Sequence, residues 1–158
     1  MKLFVKIKHW QFFLVIVLLQ YFVKVGITGV QIGAIYWIIF SAWLYSISVI
    51  GQKKLSSTNL HQNADYLKIC CFLMPILMLI VILSPTASAT WSRIGRTFIG
   101  LVWFFCWFYS AYFTAKTVKT LKKQSIPKFK EYVLLILGFI VWPIGMWFIQ
   151  PKVNKICA

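Results

Sequence analysis

The sequence predicts an all-α membrane protein, a bundle of about five transmembrane helices in one integral membrane domain over residues 1–158. The chain is 61% hydrophobic, its mean hydropathy is +0.81, and long apolar blocks alternate with short charged segments. A water-soluble domain of this length could not bury so much apolar surface. A helix of about 20 residues crosses a hydrocarbon core about 30 Å thick, so blocks of this length are typical of membrane spans.

The predicted spans are, in chain order, 10–25, 30–50, 66–84, 94–118 and 132–149. The first is short unless Lys8 and Lys24 extend their charged ends to the membrane surface. Its basic start is similar to that of a signal peptide, but no small-residue cleavage site follows, so we expect an uncleaved span. The short turn 24–29 predicts that the first two spans form an antiparallel hairpin.

Small residues and prolines mark the middle spans. Gly29-x-x-x-Gly33 opens the second span and Ala111-x-x-x-Ala115 lies in the fourth. Small residues four apart allow helix backbones to approach closely, so we expect packing within the chain at both motifs. Pro75, in the middle of the third span, predicts a kink.

The fifth block has two interpretations, because Trp142-Pro143-Ile144-Gly145 interrupts it. Proline removes a backbone donor, and glycine permits unusual dihedral angles. Membrane helices tolerate proline, which favours a kinked fifth span. The alternative is a re-entrant hairpin beside four spans, which would return the C-terminal tail to the side from which the block starts.

Positive charge is divided unevenly between the two sides of a five-span bundle. Twelve basic residues fall on one side: Lys2, Lys6, Lys8, Lys53, Lys54, Lys68, Lys116, Lys119, Lys122, Lys123, Lys128 and Lys130. Five fall on the other: Lys24, Arg93, Arg96, Lys152 and Lys155. The positive-inside rule therefore predicts a cytoplasmic N-terminus and a C-terminus outside. Charges beside spans point to anionic lipid headgroups, and we expect no nucleic-acid partner.

Groups that carry catalysis are missing from the interiors of the blocks. Asp65 and Glu131, the only acids, each precede a span, and His9 and His61 lie outside the apolar blocks. Proton-coupled transport and intramembrane catalysis typically need ionisable groups at membrane depth. The four cysteines form no CxxC pair. We therefore expect no enzyme, no catalytic residue, no metal site and no cofactor.

Two sets of uncharged side chains are candidates for binding or transport. Trp103 and Trp107 lie one helical turn apart with Ser110 continuing their face, and could form a wall for an apolar ligand such as a quinone or porphyrin. Filling of gaps between helices is the favoured interpretation. Polar residues inside the spans could line a pathway, but their scatter favours helix packing: Gln20, Gln31, Ser41, Ser46 and Ser48.

A basic loop joins the fourth and fifth blocks. Six lysines fall within 15 residues, at Lys116, Lys119, Lys122, Lys123, Lys128 and Lys130. Each lysine near an anionic leaflet contributes about 1 kcal/mol before screening. We expect this loop to contact lipid headgroups, with an acidic cytoplasmic partner as the alternative.

The C-terminal segment 139–155 carries Pro-Ile-Gly-Met-Trp-Phe-Ile-Gln-Pro-Lys-Val-Asn. This pattern resembles the ending of a family of uncharacterised small multi-pass bacterial inner-membrane proteins, which implies a membrane fold and no particular activity. Trp37, Phe40, Trp43 and Tyr45 are similar to second-helix aromatics of the tryptophan-rich sensory proteins, which bind porphyrins. The paired-proline loop of that second family is absent here.

Taken together, these patterns favour a non-enzymatic small subunit, scaffold or assembly partner of a larger membrane system, paired with other subunits or with copies of itself. A small transporter, channel or pore-forming effector is the alternative. A membrane protein that binds a hydrophobic ligand is the third hypothesis.

Overall fold

The computed structural model describes residues 29–83 and 90–157, together with Gln11, Leu14 and Leu18. Over this part of the chain it contains five α-helices and no strand, so the all-helical class is confirmed. They are α1 (Gly29–Leu55), α2 (Asp65–Leu83), α3 (Thr90–Lys123), α4 (Phe129–Ile140) and α5 (Trp142–Cys157). The predicted first span and Gln20 lie outside the described residues, apart from those three helical positions.

Among the described residues, two helices are long and apolar enough to cross a membrane, over Gly33–Leu55 and Ile94–Lys123. By length and composition alone, two such helices are weak evidence for a membrane location. Each begins inside a predicted span and continues beyond its C-terminal end, because the helical backbone runs on into the basic segments after Ile50 and Val118.

The helices α1, α2 and α3 pack against one another and form the centre of the fold. Phe40, Trp43, Ile47 and Met74 are fully buried there. Consecutive helices run in opposite directions, so the end of α1, the start of α2 and the end of α3 lie at the same end of the bundle. This end, which carries the lysines, is called the basic end below.

Small residues contribute to this packing at some of the predicted positions. Ala111 and Ala115 are completely buried, as their spacing predicts. At Gly33, by contrast, an added Cβ would meet no described atom within 4 Å, so the described helices make no close approach at this glycine. The close contact on α1 is at Gly51 instead, where a Cβ would lie 2.5 Å from Thr117 Cγ2 of α3.

The predicted single span over 132–149 is wrong, because this segment folds into two helices that turn back on each other. Val141, with φ −86° and ψ 54°, ends α4, and α5 begins at the next residue. A Cβ on Gly145 would overlap the backbone of Gly138, and a Cβ on Gly138 would lie 2.7 Å from Ile149 Cδ1. A continuous helix would separate residues 138 and 149 by about 16 Å, so the contact requires a reversal of the chain.

Candidate functional site

The described lysines share one end of the molecule. All eleven of them lie at the ends of α1, α3 and α5, at the starts of α2 and α4, or in the connection before α4: Lys53, Lys54, Lys68, Lys116, Lys119, Lys122, Lys123, Lys128, Lys130, Lys152 and Lys155. The last two were predicted on the opposite side. The α4–α5 hairpin is the physical reason for this correction, because it returns the chain to the end from which α4 started.

A cavity of about 580 Å³ opens at this end between α3, α4 and α5. Its charged lining consists of Lys119 and Lys122 from α3, Lys152 and Lys155 from α5, and Glu131 from α4. Further along the helices its walls are apolar, with Val118, Leu134, Leu135, Gly138, Gly145, Phe148 and Ile149. This site, called the basic cavity below, therefore combines a cationic mouth with an apolar interior.

Helical spacing and the hairpin contact position the lysines. Lys119 and Lys122 are three residues apart on α3, as are Lys152 and Lys155 on α5, so each pair shares one helix face. The two faces meet because α5 packs against α4 at Gly138 and Gly145, and α4 in turn packs against α3. The cavity is therefore built by residues separated by more than 30 positions in the chain.

Glu131, the one carboxylate that lines the basic cavity, is paired with Lys123, which does not line the cavity. Lys123 Nζ lies 2.8 Å and 3.0 Å from the two carboxylate oxygens of Glu131. This hydrogen bond, with smaller contributions from the charges of nearby lysines, lowers the pKa of Glu131 below its usual value. Glu131 thus stays ionised at neutral pH, and Lys123 largely offsets its charge.

The remaining lysines of the predicted basic loop lie around the cavity. Lys116 Nζ lies 5.9 Å from the ring centroid of Tyr112, within the range of a cation–π contact. Lys128 and Lys130 are exposed beside the start of α4. Of the six predicted lysines, only Lys119 and Lys122 line the cavity. Sequence reasoning missed Lys152 and Lys155. The signal that could have found them is the interruption of the apolar block at 142–145, which allows the chain to reverse.

Polar side chains from the predicted spans form a buried seam between α1 and α3. Thr114 Oγ1 donates to the carbonyl of Ser110 at 2.7 Å, so Ser48 Oγ donates to Thr114 Oγ1 at 2.8 Å. One turn further, Gln52 Nε2 donates to Thr117 Oγ1 at 2.9 Å, and Gln52 Oε1 accepts from the backbone of Gln62 at 2.8 Å. These groups connect helices, and they line neither the basic cavity nor the groove between α1 and α2.

Trp103 and Trp107 of the predicted aromatic wall pack against a third tryptophan, from α1. Trp37 of α1 meets Trp103 and Trp107 edge-on, with ring centroids 4.5 Å and 5.7 Å apart. Ser110 faces α2 instead, where Cys71 Sγ lies 3.7 Å from its hydroxyl. Among the described residues, the buried indole nitrogens of Trp103 and Trp107 have no hydrogen-bond partner.

A second groove, of about 540 Å³, lies between α1 and α2. Its walls are almost entirely apolar, with Ser41, Tyr45 and Lys68 as the polar contributions. Lys68 is already paired with Asp65 at 2.6 Å, which leaves this groove with far less free positive charge than the basic cavity.

Over residues 29–83 and 90–157, no cluster of His, Cys, Asp or Glu could hold a metal ion, and Cys70, Cys71 and Cys106 are buried free thiols. No family model matches the chain, and neither a curated protein nor a solved structure shows significant similarity to it.

Proposed function

We propose that this protein is a non-enzymatic, multi-pass protein of the bacterial inner membrane that acts as a small subunit or scaffold of a larger membrane assembly. The observation that carries the proposal is a stripe of large exposed side chains along α3. Its members recur at alternating intervals of four and three residues: Ile94, Phe98, Leu101, Phe105 and Phe108.

This spacing is the heptad pattern by which one helix packs along another. The stripe residues are 45–67% exposed, although aromatic side chains elsewhere on α3, such as Phe113, are buried against the bundle. The stripe ends at Phe108, beyond which Tyr112 contacts Tyr132 of α4. We infer that a transmembrane helix of a partner subunit, either a different chain or a second copy, packs along this stripe.

The hairpin changes the proposed orientation. With Lys152 and Lys155 at the basic end, the count for the two sides becomes fourteen to three in place of twelve to five. The positive-inside rule then favours a cytoplasmic basic end more strongly, with both termini in the cytoplasm. α4 has 12 residues and reaches about 18 Å, so it would enter a 30 Å hydrocarbon layer without crossing it.

The test of the subunit proposal is purification of the tagged full-length protein after mild detergent extraction. We expect a stoichiometric membrane partner or a defined homo-oligomer, and we expect Phe98→Ala/Phe105→Ala to release it. The matched control is Ile69→Ala/Phe72→Ala, which removes exposed side chains of α2. A monodisperse solitary monomer, or equal loss in both variants, would count against the proposal.

One observation favours a second candidate function, the binding of an apolar ligand with hydrogen-bond acceptor oxygens, such as a quinone. The indole N–H groups of Trp103 and Trp107 are buried donors that no described residue satisfies. An unsatisfied buried donor typically costs about 1–3 kcal/mol, and a ligand oxygen would recover it. Quenching of tryptophan fluorescence by a quinone, abolished by Trp103→Phe/Trp107→Phe, is the expected result for this function.

A further inference from the structure

We propose that the basic cavity binds one anionic glycerophospholipid of the cytoplasmic leaflet, with the headgroup phosphate between α3 and α5 and one acyl chain along α4. The proposal rests on the membrane location proposed above. The proposal assigns a class of ligand to the basic cavity. The basic loop alone does not form this site, because two of its four lysines come from α5.

The mouth of the basic cavity carries an excess of positive charge. Four lysines, Lys119, Lys122, Lys152 and Lys155, line the mouth of the cavity with a single carboxylate, Glu131. Because Lys123 Nζ donates to both oxygens of that carboxylate, the cavity retains most of its positive charge. Lysine ammonium groups converging from two helices form a complementary site for a phosphate, and basic pockets between helices on the cytoplasmic side are typical sites for anionic lipid headgroups.

Polar and apolar groups of the basic cavity follow one another along the helices in the same order as in a phospholipid. The lysines lie in the last turns of α3 and α5, whereas Leu134, Leu135, Phe148 and Ile149 lie one to two turns closer to the middle of the bundle. A phospholipid has the same order, a charged headgroup followed by an apolar chain. A free phosphate would use the mouth and leave the apolar walls uncovered.

The volume of the basic cavity suits part of one lipid molecule. At about 580 Å³, the cavity lies within the range of about 300–1,000 Å³ that is usual for small-molecule sites. This volume holds a headgroup and the adjoining part of one chain, while the rest of the lipid stays in the bilayer. Leu134 is 78% exposed and Phe148 is 68% exposed, so the apolar wall is open on the side where the bilayer would lie.

The test uses the full-length protein in nanodiscs with equal parts of phosphatidylglycerol and phosphatidylcholine. Native mass spectrometry after gentle release counts the lipids retained by each chain, and titration in neutral detergent gives the dissociation constant for phosphatidylglycerol. We expect preferential retention of one phosphatidylglycerol. Lys122→Gln/Lys155→Gln should raise the dissociation constant by about tenfold or more, since each lysine near an anionic headgroup contributes roughly fivefold.

The matched control is Lys53→Gln/Lys130→Gln, which removes the same charge from the basic end but not from the cavity. We expect this variant to bind as the wild type does, and we expect millimolar glycerol 3-phosphate not to displace the lipid. Equal weakening in both variants would reduce the effect to general surface charge and overturn the proposal. Displacement by glycerol 3-phosphate would show a headgroup site without a chain site, which also contradicts it.

Two further readouts separate the possible failures. Leu134→Ala should weaken phosphatidylglycerol binding without changing the charge of the mouth, and an unchanged dissociation constant would contradict the acyl-chain assignment. Retention of helical circular dichroism in each variant excludes loss of folding. Partner binding along the α3 stripe is measured separately, so lipid binding can fail while the subunit proposal stands.

Discussion

Trp43 Nε1 donates a 2.7 Å hydrogen bond to Gln150 Oε1 and so joins the middle of α1 to α5 across 107 positions of the sequence. Both side chains are completely buried. The ring of Trp43 also contacts Phe139 of α4, with centroids 5.4 Å apart. This tryptophan therefore holds both arms of the hairpin against the three-helix core, and Gln150 in turn donates to Asn154 at 3.0 Å.

We expect Gln150→Leu to destabilise the protein, because it leaves the Trp43 indole N–H buried without its acceptor. The expected loss is about 1–3 kcal/mol in the free energy of unfolding, measured by denaturation in detergent. Trp43→Phe/Gln150→Leu removes both partners, so the second substitution should cost much less in that background than alone. Additive losses in the double-mutant cycle would show that the bond contributes nothing.

The crossing of α4 and α5 depends on two glycines. Gly145→Ala would place a methyl group against the backbone of Gly138, where neither helix can yield without opening the hairpin. We expect a loss of about 3 kcal/mol or more, at the upper end of the usual cost of overpacking. Gly100→Ala in α3 is the control, because its Cβ would meet nothing within 4 Å and alanine favours the helix. Similar stability of the two variants would contradict the crossing.

Sequence reasoning predicted the elements with strong apolar patterns and failed where contacts over long distances decide the structure. The helices over 30–50, 66–84 and 94–118 follow from length and hydropathy, which depend on neighbouring residues only. The hairpin depends on a contact of Gly145 with Gly138 and on a bond from Gln150 to a residue 107 positions away. Local pattern left a kinked helix and a reversal both open at Trp142-Pro143-Ile144-Gly145 and favoured the kinked helix, which is the wrong choice of the two.

The same limit applies to the candidate site. Charge density identified Lys119 and Lys122, because it is visible within one segment. Lys152 and Lys155 follow an apolar block and belong to the site only after the chain has reversed. The residues of the C-terminal motif have structural roles that spacing alone does not reveal: Gly145 permits the crossing, Ile149 packs against Gly138, and Gln150 binds Trp43.

The polar side chains of the buried seam between α1 and α3 should be inaccessible to water, which is the opposite of what a transport pathway requires. In a background with the native cysteines replaced, Ser48→Cys should resist a membrane-impermeant maleimide, because Ser48 is completely buried against Thr114. Lys122→Cys is the accessible control, since Lys122 is exposed at the basic end. Rapid labelling of Ser48→Cys in intact membranes would favour the channel hypothesis over a scaffold.

The central claim is that the C-terminal segment reverses within the bundle, and the topology of the C-terminus tests it most directly. A reporter that is active only in the cytoplasm, fused after Ala158, should match in activity a second fusion placed within the basic segment after Lys123. Because α5 returns Lys152 and Lys155 to the end that holds Lys119 and Lys122, the account predicts that both fusions are cytoplasmic. A cytoplasmic reporter after Lys123 with an external one after Ala158 would mean that the last segment crosses the membrane, and would contradict the account.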